Sequence, residues 1–187
     1  VVGGAGYIGS HMVKQLALSG CEVTTLDNLS GGYRDAVLFG DFVQGDLADK
    51  ALLAKLFAQR KFDAVMHFAS FIQVGESVQK PSMYYENNVT NTLNLLNAMH
   101  VAGVQKFIFS STAATFGEPR YSPIDEAHPQ VPINPYGRSK LMVEDMLRDL
   151  AASDARWRVA LLRYFNPVGA HPSTLIGELP LGKPANL

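Results

Sequence analysis

Val1-Val2-Gly3-Gly4-Ala5-Gly6-Tyr7-Ile8-Gly9-Ser10 runs two β-branched residues into glycines at every third position, Gly3, Gly6 and Gly9, and then into an apolar helical pattern. That string specifies a strand, a tight turn and a helix start. Glycine is needed at such a junction for separate reasons. One makes the turn, one lets the backbone approach a diphosphate, and one lets helix and strand pack closely. The helix N-terminus then offers unpaired N–H groups and a partial positive charge. Tight turns with no ligand also collect glycines, so a second mark is required.

Asp27 supplies it. It closes the next apolar run, Glu22-Val23-Thr24-Thr25-Leu26-Asp27, about eighteen residues past Gly9, close to the roughly twenty at which a carboxylate meets ribose hydroxyls. The alternative is that Asp27 caps a loop, and Asn28-Leu29-Ser30-Gly31-Gly32 has the composition of one. Together the glycines and the carboxylate predict a dinucleotide site. A carboxylate there repels a 2′-phosphate, which predicts NAD rather than NADP.

Outward from this unit, strand-length apolar runs at 22–27, 41–44, 62–68, 106–111 and 158–164 alternate with helical patterns at 8–19, 51–60, 81–102 and 136–151. Several runs are apolar almost throughout, as parallel strands covered on both faces are. The alternation predicts an α/β fold, a Rossmann-type doubly wound parallel sheet. Only Val1 and Val2 precede the first glycine, against about five residues in an ordinary strand, and the pattern fades after Pro172. The expectation is a fragment: a dinucleotide-binding domain at 1–166 and the start of a substrate-binding region at 167–187, with the beginning of strand one and the C-terminal substrate domain missing.

The 187 residues are 47% hydrophobic with a formal net charge of -1. No apolar run reaches membrane-spanning length, and mixed charge gives no electrostatic reason to bind nucleic acid or an acidic membrane. A single cysteine, Cys21, and no visible signal peptide predict a cytoplasmic protein. His11, His67, His100, His128 and His171 lack metal-ligand spacing. The neighbouring pairs Asp125-Glu126 and Glu144-Asp145 are expected to be solvated charges. Leu93, Leu96, Met99, Met142, Met146 and Leu150 fit either core or a subunit interface.

Tyr136 and Lys140 stand four residues apart on one helix face. A phenol normally loses its proton near pH ~10. A neighbouring ammonium and a cationic nicotinamide favour the phenolate, so the pair suits proton exchange with a substrate alcohol. Such pairs also occur as plain surface features. Here the pair follows the glycine turn by the right number of β/α units, and the hydroxyl cluster Ser110-Ser111-Thr112 ends the preceding run. Thr112 is expected to hydrogen-bond the substrate oxygen; the alternative is a loop cap.

These residues resemble the extended short-chain dehydrogenase/reductases and, within them, the UDP-glucose 4-epimerase family. The likeness rests on 3–10 (GGAGYIGS), 26–29 (LDNL), Gly45-Asp46, 67–69 (HFA), 74–81 (VGESVQKP), 84–89 (YYENNV), 107–111 (FIFSS), 135–140 (PYGRSK) and 161–171 (LLRYFNPVGAH). VGESVQKP and RYFNPVGAH are the more specific. Related dehydratases carry Thr-Asp-Glu where this chain has Thr112-Ala113-Ala114. The resemblance implies a longer, two-domain, homodimeric enzyme holding NAD, joined through helices 81–102 and 136–151. It interconverts UDP-glucose and UDP-galactose through a 4-keto sugar. Other nucleotide-sugar enzymes of the same superfamily, and a non-catalytic NAD-binding module, are the alternatives.

By the same resemblance Gly3, Gly6, Tyr7, Ile8, Gly9, Asp27, Asn28, Leu29, Ser30, Gly31, Gly32, Asp46, Leu47, Phe68, Ala69, Ser70, Asn87, Tyr136, Lys140 and Phe165 line the NAD site. Thr112, Tyr136, Asn166 and Asn186 face the UDP-sugar. The chain departs from the common pattern with Thr112 for serine, Ile72 for lysine and Phe116 for tyrosine.

Overall fold

A computed structural model describes residues 1–180. Strands β1 (Thr24–Asp27) and β2 (Asp41–Gln44) pair in parallel. Strands β3 (Val65–His67), β4 (Lys106–Thr112) and β5 (Arg158–Tyr164) form a second parallel ladder in that order. Two valines join the ladders. Val2 bridges in parallel to Leu26 on one side and His67 on the other, through bonds from Val2 N–H to the Met66 carbonyl at 2.8 Å and from Gly3 N–H to the Leu26 carbonyl at 2.9 Å. The order across the sheet is β2, β1, the Val1-Val2 segment, β3, β4 and β5.

The helices are α1 (Tyr7–Leu18), α2 (Lys50–Gln59), α3 (Val74–Gln79), α4 (Pro81–Tyr85), α5 (Asn91–Val101) and α6 (Pro135–Ser153). The expected helix over 81–102 is present with one modification: residues Glu86–Thr90 form a wider π-turn between α4 and α5. The short α3, which contains Gly75, is too brief for a helical period to show in sequence. The expected strand over 62–68 shortens to Val65–His67, and Phe62 instead packs edge-on against Phe57 of α2 with ring centroids 5.3 Å apart.

Successive strand residues face opposite sides, and this divides the core. Leu26 and Val43 join a large cluster with Leu53, Leu56 and Phe57 of α2, Leu95, Leu96 and Met99 of α5, and Val143 and Leu147 of α6. Their neighbours behave differently: Phe42 belongs to a smaller cluster with Val13 of α1, Val23 and Val37. Helices therefore cover both faces, and α/β layering matches the expectation. Helix α6 starts with Pro135 at its first position and Asn134 as cap, the Asn134 carboxamide oxygen accepting from Gly137 N–H at 2.8 Å. This fixes where Tyr136 and Lys140 begin their climb along β4.

Candidate active site

The glycine turn closes only with glycine at positions 3 and 9. Gly3 has φ +77, and a Cβ there would fall 2.4 Å from the Ala69 nitrogen. At Gly9 a Cβ would fall 2.1 Å from the Gly3 carbonyl oxygen. Gly6 differs: its φ is -78, and a Cβ would meet nothing nearer than 3.4 Å. The fold itself therefore tolerates a side chain at Gly6, and its bareness keeps the approach to the α1 N-terminus open. No side chain caps that end, and no acid occupies its first turn. Half-buried Tyr7 and Ile8 begin the helix.

Asp27 stands at the end of β1, buried, with one carboxylate oxygen accepting from Ala5 N–H at 2.9 Å and the other from Leu29 N–H at 2.8 Å. It thus braces the glycine turn and its own loop, and each oxygen keeps a further lone pair for a ribose hydroxyl. Leu29 takes φ +61. Asn28 accepts from Ser30 N–H and donates to Asp46 at 2.6 Å, and Asp46 also accepts from Ala48 N–H. Gly31 is exposed and Gly32 lies against Ala5. Leu47 is a core residue whose carbonyl accepts from Asn94. An uncapped helix N-terminus behind a glycine turn, a carboxylate with lone pairs to spare and a polar loop would fit a dinucleotide such as NAD.

On the other side of the Val1-Val2 segment, Phe68 N–H donates to the Val2 carbonyl at 2.8 Å, and Ala69 packs on Gly3. Ser70 follows, and its hydroxyl accepts from the Lys140 ammonium at 2.6 Å. Lys140 also donates to the Ser110 carbonyl at 2.8 Å and lies 4.7 Å from the Phe109 ring centroid. It is buried, and burial lowers its pKa to about 7, partly opposed by the charge of Glu144.

Tyr136 and Thr112 are neighbours at the C-terminal edge of β4, where the Thr112 hydroxyl bears on the phenol and accepts from Ala114 N–H at 3.1 Å. The phenol pKa was expected to be lowered by the Lys140 ammonium together with a bound cationic nicotinamide; the protein's own groups on balance do not lower it. Burial raises Tyr136 above its ordinary value, and the opposing influence is the Thr112 hydroxyl, not the ammonium. Lys140 directs its bonds at Ser70 and Ser110.

Asn88 escaped notice in sequence because it lies in the π-turn beside Asn87. Its buried carboxamide accepts from Phe71 N–H at 2.9 Å and from Asn87 at 3.0 Å, and donates to the Phe71 carbonyl and to Ser139. His67 was likewise unassigned. The Thr92 hydroxyl gives its proton to the Asn88 carbonyl, so His67 Nε2 must donate to Thr92 at 2.9 Å. Burial first, then Lys140, holds His67 neutral with a pKa near about 3.

Glu144 corrects an expectation. It is not solvated: its side chain has 0% exposure and accepts from Ser111, Gln130, Arg148 and Arg163. Asp145 is exposed, as expected. Phe116, the tyrosine departure, is buried under the Arg163 guanidinium at 5.2 Å. Ile72 is exposed. Thr112 and Tyr164 are register partners, so exposed Phe165 and Asn166 leave the sheet at the same edge as Thr112. The segment then returns to α1, where Tyr7 Oη donates to the Gly169 carbonyl. Asn186 lies outside the described residues.

Fold and site together define a Rossmann-type α/β domain with a dinucleotide-shaped turn and a Tyr–Lys helix. The pattern of the NAD dependent epimerase/dehydratase family matches residues 1–179, and the chain belongs to that family. It is similar to UDP-glucose 4-epimerase 2 of Oryza sativa subsp. japonica, with 52% identity over 100% of this chain and 48% of the relative. The UDP-glucose 4-epimerase of Bacillus subtilis (strain 168) is 50% identical, with 100% and 58% covered. Among solved structures, UDP-glucose 4-epimerase from Bifidobacterium longum in complex with NAD+ and UDP superposes with a TM-score of 0.95 at 44% identity, over 100% of this chain and 58% of that one. The chain spans about half the length of the relatives it matches.

Proposed function

We propose that this chain is the NAD-binding part of a UDP-glucose 4-epimerase, divided as 1–166 and the start of a substrate-binding region at 167–187. The whole protein interconverts UDP-glucose and UDP-galactose through a 4-keto sugar. The observation that carries the reading is the buried Lys140 ammonium on the same α6 face as Tyr136, bonded to the Ser110 carbonyl of β4 and tied through Ser70 to the glycine turn.

In this reading Gly3, Gly6, Gly9 and the α1 N-terminus hold the diphosphate, and Asp27 holds the adenine ribose. NAD, when bound, takes up and returns the C4 hydrogen with its electron pair, and its cationic ring favours the phenolate. Tyr136 takes the proton of the 4-hydroxyl and later restores it. Thr112 orients that oxygen, and Lys140 contributes positive charge nearby. Asn166 lies at the edge where the sugar enters. The alanines at 113 and 114 leave no acid pair for an elimination.

Exposed apolar residues on two helices, Leu93 and Val101 of α5 and Met142 of α6, support a homodimer through these faces. Exposed, unpaired Cys21 suits the cytoplasm. Among the described residues no helix is long and apolar enough to cross a membrane.

The test is to assay the full-length protein on UDP-galactose without added cofactor, following the product by mass and NMR. UDP-glucose of unchanged mass is expected, and Tyr136→Phe should slow turnover by about 10²–10⁴-fold. A changed product mass would replace the reading by a decarboxylase or dehydratase. Bound NAD with untouched UDP-sugars would replace it by a binding module.

A further inference from the structure

Ser70 is held between two fixed neighbours. On one side Ala69 abuts Gly3 in the glycine turn, close enough that a Cβ on Gly3 would collide. On the other, the peptide of Phe71 is gripped at both its N–H and its carbonyl by Asn88, at 2.9 and 3.0 Å. The same Asn88 carboxamide donates to the Ser139 hydroxyl at 3.0 Å, and Ser139 donates to the Tyr136 carbonyl at 2.7 Å. Ser139 precedes Lys140, whose ammonium donates back to Ser70 at 2.6 Å. A closed ring of contacts results: Ser70, Phe71, Asn88, Ser139, Lys140 and Ser70 again.

Lys140 needs such a partner. It is buried, and its acceptors among the described residues are the Ser70 hydroxyl and the Ser110 carbonyl, with the Phe109 ring beneath. The titratable groups around it are Tyr136 one turn back and Glu144 one turn on along α6, and His67 of β3. Glu144 directs its oxygens to Ser111, Gln130, Arg148 and Arg163, and His67 is turned to Thr92. Among the described residues no carboxylate bonds the ammonium.

We infer that Ser70 is a positioning residue for Lys140, holding its ammonium charged and aimed at the strand end, and thereby coupling the dinucleotide turn to the Tyr136 helix. The inference rests on the proposed function for its kinetic consequence but not for its structural one. With Ser70 lost, one of two hydrogen bonds to a buried cation goes, and deprotonation of Lys140 becomes easier.

The experiment uses the full-length protein with [13Cε]-lysine, the Lys140 signal being assigned from Lys140→Met. In Ser70→Ala the Lys140 resonance is expected to titrate about one pH unit lower than in wild type, the size of shift that one hydrogen bond produces. The alkaline limb of kcat/KM for UDP-galactose should move down with it, chiefly through kcat. Ser70→Thr, which keeps the acceptor, should return both toward wild type. An unchanged Lys140 titration in folded Ser70→Ala overturns the inference, whatever the enzyme turns over. A shifted titration in a protein inactive on UDP-sugars leaves the inference standing and removes the proposed function instead.

Discussion

Lys140 and Glu144 sit one turn apart on α6, both buried, and the fold treats their charges in opposite ways. Glu144 receives five hydrogen bonds, from Ser111, Gln130, Arg148 and, twice, Arg163. Burial pushes its carboxyl up, yet Arg163, Ser111 and Gln130 together hold it below the usual carboxylate range. Lys140 receives two neutral oxygens and the face of an aromatic ring, and burial wins, drawing it down to about 7. One charge is matched and fastens three elements together, α6, β4 and β5. The other is under-matched and costs stability to keep. Charges kept at such a cost collect where chemistry is done.

The largest expected effect separates the two at once. Lys140→Met in the full-length protein should lower turnover by about 10²–10⁴-fold, the usual range for losing acid–base machinery, while raising resistance to urea. The sign with pH follows from the depressed pKa. From about pH 7 up toward 10.5 the unfolded chain binds the proton more tightly, so wild-type stability rises with pH. The advantage of Lys140→Met is therefore greatest below pH 7 and shrinks above it. Urea melts of both proteins at several pH values check this, and an advantage that grows with pH would break the contrast.

Next comes Glu144→Gln, which leaves two guanidinium groups facing a neutral amide. Removing one member of a buried ion pair costs ~3–5 kcal/mol, to be read in equilibrium unfolding. Because the folded carboxyl is depressed, this contribution is fully present above the unfolded value of 4.5 and is lost as pH falls from there through the lower folded value. Phe109→Leu should have a smaller effect of about 0.5–2 kcal/mol on the Lys140 side through loss of the ring beneath the ammonium, visible as a further fall in the Lys140 titration. Smallest is Arg148→Ala. Its half-exposed guanidinium is screened, and about 1 kcal/mol or less is expected; a loss as large as that of Glu144→Gln would show that Arg148, not Arg163, secures the carboxylate.

Met142→Glu stands apart as a test of assembly. Placed on the exposed face of α6, it should turn a dimer into monomers in analytical ultracentrifugation with little change in unfolding. A variant that sediments as wild type does would move the proposed interface elsewhere.

Much of the site was legible because it is local. Gly3 and Gly9 carry their backbone demands in their spacing, and Asp27 follows at a set distance along one β/α unit. Tyr136 and Lys140 share a face because α-helical geometry puts residues four apart together. Glu144 was misread for the opposite reason. Its four partners come from 111, 130, 148 and 163, and nothing in the residues around it distinguishes a solvated carboxylate from a clamped one. The surroundings of Lys140 were hidden in the same way, since its acceptors come from residues 70 and 110.

Residue order along the chain was therefore enough to determine a parallel α/β layering, a dinucleotide-shaped turn and a Tyr–Lys helix, because each rests on backbone periodicity or on steric need within a few residues. Only the tertiary structure decided which buried charge is matched, which is left short, and which loop hydroxyl supports it. Solvation and hydrogen bonding are set by whatever atoms lie within a few ångströms, and in this fold those atoms come from stretches far apart in the chain.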